Sequence, residues 1–311
     1  MIQILSFLKK YEDYIFTFLV CIIPFIVYTL SLPPGITWGD SPEFATAAIN
    51  LGLAHPSGYP LFTLLSHIFS YLPFNEPAFA ITFMSVLFES LAVLFVYLTI
   101  KKLTDKHSIS FFSALILAFS YTFWYHGRII EVYALNNFLI SAIIFCMIKW
   151  YIERKTLSLY ILSICIGLSF ANHLTSVLLF PAIVALIVLT EPKKIIFSKT
   201  IFIMTSIIIL CQIFYLYIPI VSWTSNYNTI IWNNPTTFSR ILFHITGSEY
   251  AVFRKTAVFY KNISLFFSTF YKEFTLFTLL FSFIGVIILF IKKWKIALIL
   301  LLFFLSTLLY N

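Results

Sequence analysis

Two carboxylates three positions apart, Asp40 and Glu43, stand in the stretch WGDSPEFATAAINLGLAHPSGYP, which runs from Trp38 to Pro60. His55 and Tyr59 lie in the turn-forming end of the same stretch, AHPSGYP. An acid able to take a proton, a second acid to orient a hydroxyl and an imidazole beside them are the residue types of proton-coupled group transfer. A plainer reading covers part of this pattern. Ser41 suits a helix N-cap, Pro42 the first helical position, and the acids suit the positive end of a helix from Glu43 to Leu53. It does not explain why acids and a histidine crowd where a polar loop meets hydrocarbon, a place where ionisable groups are costly and usually functional.

Three later blocks carry further candidates. Arg128 and Glu131 lie in YHGRIIEVYALNN, Asn172 and His173 in GLSFANHLTS, and Arg240 and His244 in FSRILFHITGSEY. Arg240 and His244 are four apart and would share a helix face. An arginine such as Arg128 binds phosphate through paired donors and keeps its charge. Glu89 sits in the apolar run FMSVLFESLAVLF, where it either serves a buried function or stitches helices together. Phosphate loops, dinucleotide fingerprints and zinc-protease motifs do not occur. Cys21, Cys146, Cys165 and Cys211 lie inside apolar runs without metal spacing and read as small core residues. Neither a metal nor a cofactor is expected.

The elements that must hold these residues are hydrophobic helices. The 311 residues are 61% hydrophobic and only 10% charged, with a mean hydropathy of +0.98, against about 25% charged residues in soluble domains. About nine apolar runs read as membrane helices: Tyr14–Leu32, Phe79–Ile100, Ser110–Tyr125, Val132–Trp150, Leu157–Ala171, Leu174–Leu189, Thr200–Val221, Phe274–Ile291 and Ile296–Tyr310. Leu61–Leu72, bracketed by Pro60 and Pro73, is too short to span and reads as interfacial.

With the N-terminus inside, fourteen of the 20 Lys and Arg fall on the inner face. Arg128, Arg240, Arg254, Lys255, Lys261 and Lys272 are left outside, as the positive-inside rule requires. The net charge of +8 is therefore an orientation signal and does not point to nucleic acid. Residues 33–78 and 222–273 become two large outer loops of one domain covering 1–311, on the non-cytoplasmic side. The biased Phe, Ile and Lys usage suits a bacterial inner membrane better than an ER membrane. The chain stops at Asn311 directly after the last run, which reads as a truncation or domain boundary with a further part beyond it.

WGDSPEF…LGLAHPSGYPLF resembles the signature of the family first catalogued as domain of unknown function 2723, which includes protein O-mannosyltransferases of glycosyltransferase family 117. RIIEVYALNNF at Arg128–Phe138, GLSFANHLTSVLL at Gly167–Leu179 and WNNPTTFSRILFHITGSEY at Trp232–Tyr250 follow in the family's order. The resemblance implies a polytopic GT-C-type helical bundle. It also implies transfer of a sugar, typically mannose, from a polyprenyl-phosphate carrier to Ser/Thr hydroxyls of an acceptor protein.

In that frame Asp40 is the general base, and Glu43 positions acceptor or sugar. Arg128 and His173 hold the leaving phosphate. His55, Tyr59, Glu131, Asn172, Arg240 and His244 position substrate. Two departures stand out: DSPE where DSGE is common, and WNNP where WGDP is common, the latter removing an acid at position 234. The competing class is a transporter or flippase, which predicts midplane charges and an internal repeat. Only Glu89 answers the first demand, and no repeat is present.

Overall fold

The computed structural model describes residues 2–196, 198–225, 229–250 and 259–310. Arg254, Lys255 and Asn311 lie outside them. In chain order the helices are α1 (Ile2–Leu30), α2 (Ser41–Ile49), α3 (Pro60–Ser70), α4 (Pro77–Thr104), α5 (His107–Ala118), α6 (Tyr121–His126), α7 (Tyr133–Glu153) and α8 (Thr156–Asn172). After a 3-10 turn at Leu174–Leu179 come α9 (Phe180–Thr190), α10 (Pro192–Ile196) and α11 (Lys199–Cys211). A second 3-10 turn, Gln212–Leu216, leads to α12 (Tyr217–Thr224), α13 (Phe238–Ile245), α14 (Phe259–Glu273) and α15 (Leu276–Tyr310). Among the described residues there is no strand, only an isolated parallel bridge between Leu53 and Ile231. The architecture is that of an all-α, multi-pass membrane protein.

Four of these helical runs are long and apolar enough to cross a membrane: Tyr11–Leu30, Pro77–Thr104, Tyr133–Glu153 and Lys199–Thr224. The bent pair Ser264–Glu273 and Leu276–Leu308, folded by 111°, supplies a fifth if taken as one span. The rest of the nine expected runs are shorter. At 1.5 Å per residue a helix of twelve residues reaches only ~18 Å, against a hydrocarbon core of ~30 Å. The expected run Ser110–Tyr125 breaks at Phe119 and Ser120 into α5 and α6. The last two expected runs are continuous in α15, but Lys293 leaves helical geometry (φ −145, ψ 53) and forms a kink where their boundary was expected.

The scaffold is built on α4, which packs against α1, α5 and α7. Pro77 at its first turn and Lys101 and Lys102 in its last define its length, the lysines favoured by the negative end of the helix. Asp105 then turns left-handed and donates its N–H to the Lys101 carbonyl at 2.8 Å. Glu89 is fully buried in this interface. The Asn137 amide of α7 donates to its Oε1 at 2.8 Å, so the glutamate joins two helices, as the second sequence reading had it. Phe44, Phe62, Ile81, Met84 and Leu135 form a core under α2 and α3. The short helix α3 therefore rests on the bundle, with Leu61, Phe62, Thr63 and Ser66 buried.

The loop after α2 and the loop after α12 meet at Gly52. Leu53 donates its N–H to the Ile230 carbonyl at 2.8 Å, and Trp232 donates back to the Leu53 carbonyl at 3.1 Å. The Tyr217 hydroxyl donates to the Gly52 carbonyl at 2.5 Å. A Cβ on Gly52 would stand 2.5 Å from the Ile230 carbonyl oxygen, and backbone cannot yield as a side chain can. Gly52→Ala should cost about 1–3 kcal/mol, the usual penalty for overpacking, and undock the second loop. Limited proteolysis should then cut residues 222–250 faster while helical content by circular dichroism stays unchanged. Equal cleavage rates would refute the close approach.

Candidate active site

Asp40 is the N-cap of α2 by backbone position, yet its carboxylate makes no capping hydrogen bond and is exposed. Ser41, expected as the cap, is the first helical residue, and Pro42 comes second. The reason lies across the molecule: the buried Ser41 hydroxyl donates to the Ile130 carbonyl at 2.9 Å, pinning α2 to the turn before α7. The helix also ends at Ile49, short of the expected Leu53, because Leu51 adopts a left-handed conformation (φ 49). Trp38, two residues before Asp40, is 93% exposed.

Glu43 points from α2 to the returning loop. Its Oε1 accepts the His55 backbone N–H at 2.6 Å, and His55 Nδ1 lies 3.1 and 3.2 Å from the two carboxylate oxygens. Burial raises the Glu43 pKa, but the hydrogen bonds and charge of His55 outweigh it and leave the carboxyl below its ordinary value. For His55, burial works against the charged form. The Glu43 hydrogen bond and the charges of Glu43, Asp40 and Glu131 override it, and its pKa is raised. The other ring nitrogen, Nε2, meets the Tyr59 hydroxyl at 3.1 Å. Tyr59 itself is held at φ 43, an uncommon conformation for a bulky residue and one that clusters at functional sites.

The other blocks converge on this chain of contacts. Glu131 is 8% exposed, and its carboxylate lies beside the Gly39–Asp40 backbone, with Oε1 3.9 Å from where a Cβ on Gly39 would stand. Burial, then the negative charge of Asp40, push its pKa up to about 7. The His173 ring lies 5.6 Å from Tyr59 and 5.9 Å from Tyr133. Its Nδ1 accepts from the Thr175 N–H at 3.3 Å, and burial followed by the charge of His55 lowers its pKa to about 4. It is therefore neutral at physiological pH and acts as an N–H donor, not a cation. Asn172, 1% exposed, donates to the Val132 carbonyl at 3.3 Å and locks the end of α8 to the same turn.

From the second loop, Trp232 and Tyr250 approach His55 at 5.9 and 6.5 Å between rings. Glu249 holds this loop by accepting from Trp232 Nε1 at 3.3 Å and Asn233 Nδ2 at 2.8 Å. Asn233 (φ 55) and Asn234 (φ 41) are both left-handed. Asparagine tolerates that conformation, so the WNNP departure keeps the turn while losing an acid.

His244 is 1% exposed, close enough to Gly58 that a Cβ there would meet Nε2 at 3.2 Å. Burial lowers its pKa to about 4. Arg240 shares its helix but faces solvent, so the expected common face is not a common environment. Arg128 stands apart from the carboxylates as well. Its Nη1 donates to the Ser31 carbonyl at 2.5 Å, and its guanidinium lies 3.3 Å above the Trp124 ring. Tyr133, Trp232 and Tyr250 were not among the residues singled out by type; their signal was position, each inside a motif block.

Asp40, Glu43 and His55 each offer a ligand atom within 4.8 Å of the others. A divalent cation fits there only in exchange for the Glu43–His55 hydrogen bond, because the other imidazole nitrogen already meets Tyr59. Glu131 feels the charge of Asp40, and the two make a directly testable pair. Glu131 keeps its proton below a pKa of about 7 and loses it as the pH rises through that value. Infrared difference spectra should show a carboxylic C=O band vanishing across neutral pH, and Glu131→Gln should lack that transition. A Glu131 fully ionised at pH 5 would contradict the burial argument.

Residues 40–196 match the family model described as the protein O-mannosyl-transferase TMEM260 N-terminal domain. Mouse protein O-mannosyl-transferase TMEM260 is 30% identical over 234 residues, which cover 73% of this chain and 33% of that protein. The Dictyostelium discoideum protein O-mannosyl-transferase tmem260 is 36% identical over 129 residues, covering 40% of this chain and 16% of that protein. The chain thus spans a third or less of these curated relatives. No solved structure matches. The matched segment contains Asp40, Glu43, His55, Tyr59, Arg128, Glu131, Asn172 and His173, while Arg240 and His244 lie beyond it. It takes in half of the 311 residues, and the chain belongs to the family of the protein O-mannosyl-transferase TMEM260 N-terminal domain.

Proposed function

We propose that this chain carries the catalytic centre of a membrane glycosyltransferase that moves mannose from a polyprenyl-phosphate carrier to Ser/Thr hydroxyls, with inversion, on the non-cytoplasmic face. The observation that carries this reading is the state of Asp40. Its carboxylate is exposed and free of capping duty at the point where four distant sequence blocks meet. The names of the relatives supply the reaction class, and the glycosyltransferase family 117 and GT-C assignments follow from the motif resemblance. The composition favours a bacterial inner membrane.

In the transfer step Asp40 removes the acceptor hydroxyl proton as that oxygen bonds to the sugar's anomeric carbon. The bond from that carbon to the phosphate oxygen breaks, and its electron pair leaves with the polyprenyl phosphate. Glu43, fixed by His55, positions the acceptor, and Tyr59 extends that line. Arg128 supplies charge to the phosphate through the donors that Ser31 does not occupy, and neutral His173 supplies an N–H donor.

Glu131 ionises as the pH rises through about 7 and then adds negative charge beside the acceptor hydroxyl, so transfer should rise with pH through neutrality. Asp40→Asn should reduce transfer from labelled polyprenyl-phosphate mannose to a Ser/Thr peptide by about 10²–10⁴-fold, the range for a lost general base. Its thermal unfolding and donor binding should match the parent's. Undiminished transfer in that variant would overturn the assignment.

A further inference from the structure

A groove of about 520 Å³ opens between the segment after α1 and the start of α4. That volume lies within the ~300–1,000 Å³ of small-ligand sites. Pro33, Pro34 and Ile36 form one wall, and Phe74 and Phe79 the other. Both walls are stiff. Two consecutive prolines fix their own φ angles, while the Phe74 ring packs edge-on to Phe79 at 5.1 Å and against Phe83 at 5.4 Å. Ile36 is 51% exposed, Phe74 39% and Phe79 37%. Exposed apolar side chains gathered in one place mark a partner surface.

Two further observations give that partner its chemistry. Glu76, at the N-cap of α4, lines the groove, is exposed and makes no capping hydrogen bond. Among the described residues its carboxylate has no ion-pair partner. An acid left free beside apolar walls attracts a cation and repels a phosphate. On the other wall, the N–H groups of Gly35 and Ile36 donate to no backbone carbonyl among the described residues. A Cβ on Gly35 would meet nothing within 4 Å. Bare, exposed main chain next to side-chain pockets is what an extended polypeptide pairs with.

The groove also runs on to the proposed base. Pro34, Gly35, Ile36, Trp38 and Asp40 are all exposed. Ile36 and Asp40 are at most ~14 Å apart along the chain, a distance that an extended polypeptide covers in about four residues.

We propose that this groove docks the acceptor polypeptide in extended form, and that Glu76 selects a Lys or Arg about four to six positions from the Ser/Thr to be modified. Trp38 lies between groove and base and offers an apolar rest to the intervening residues. This inference rests on the proposed transfer to Ser/Thr hydroxyls and adds where the acceptor lies and which side chain it must carry.

The test uses the purified protein in nanodiscs and fluorescent threonine peptides that differ only in Lys or Glu about five positions from the threonine. Peptide pairs are made for both sides of the threonine. On one side, the Lys peptide should bind about fivefold or more tightly than its Glu counterpart, as one exposed charge pair allows. High salt should shrink the difference. Glu76→Lys should invert the order, a gain that a misfolded protein cannot supply. Equal Kd values on both sides in the parent, or an order unchanged in Glu76→Lys, would overturn the proposal.

A second arm fills the groove with Gly35→Trp, at a position where a side chain meets no neighbour. The Lys peptide should then bind at least about tenfold more weakly, as expected when apolar burial is lost. Unaltered affinity would refute docking in this groove. Displacement of the peptide by excess short-chain phosphatidylethanolamine would also overturn the proposal and mark the groove as a seat for lipid. Peptide binding requires neither donor nor turnover. A chain that binds in this way and transfers nothing would therefore count against the proposed reaction while supporting the groove.

Discussion

The double hydrogen bond from His55 to Glu43 is the contact on which the polar end of the bundle depends. One carboxylate takes both the backbone N–H and the imidazole of the same residue, which fixes where the chain returns after α2. Charge-assisted bonds of this kind are about twice as strong as neutral ones, and half-burial shields this pair from water. With the return fixed, Asp40 is set at one end of α2, Tyr59 is set at the start of α3, and Gly52 is brought against the second loop. Breaking the pair would free the return after α2, while the Ser41–Ile130 and Asn172–Val132 bonds still tie the neighbouring blocks.

Below that contact lies a scaffold of unequal helices. α4 and α7 are long enough to span, and a buried glutamate–asparagine bond ties them together. α5 and α8 are shorter, with 12 and 17 residues. Their value to the site is positional: α5 accepts the Tyr28 hydroxyl at the Ala118 carbonyl, 2.6 Å away, and α8 delivers Asn172 and His173 to the turn that carries Glu131. The bundle thus presents turn residues from several helix ends on one face, with hydrocarbon-compatible walls beneath.

Much of this was legible in the sequence. The apolar runs gave the helices, and the four polar interruptions among them marked the segments that meet. What eluded sequence reasoning was decided by tertiary contacts. Nothing local says that the Ser41 hydroxyl would seek Ile130 and so release Asp40 from capping. Spacing put Arg240 and His244 on one helix face, but only the packing of Gly58 against the helix sends one to solvent and the other inside. The charge of His173 depends on burial between two tyrosines from different blocks, which no window of sequence contains. Helix boundaries shifted for a simpler reason, since hydropathy counts residues and does not see a break such as Phe119–Ser120 or the kink at Lys293.

The bridge between Leu53 and Ile230–Trp232 has a consequence for how the molecule is made. Its halves are ~180 residues apart, and chains grow at about 5–20 residues per second, so the first loop waits roughly 10–40 s for its partner. During that interval α2 and α3 stand without the second loop, and Leu53 has no bridge partner. The site closes only after the intervening helices have been inserted. Assembly therefore runs from the membrane outwards, and the polar cluster is completed late, over a bundle that is already in place.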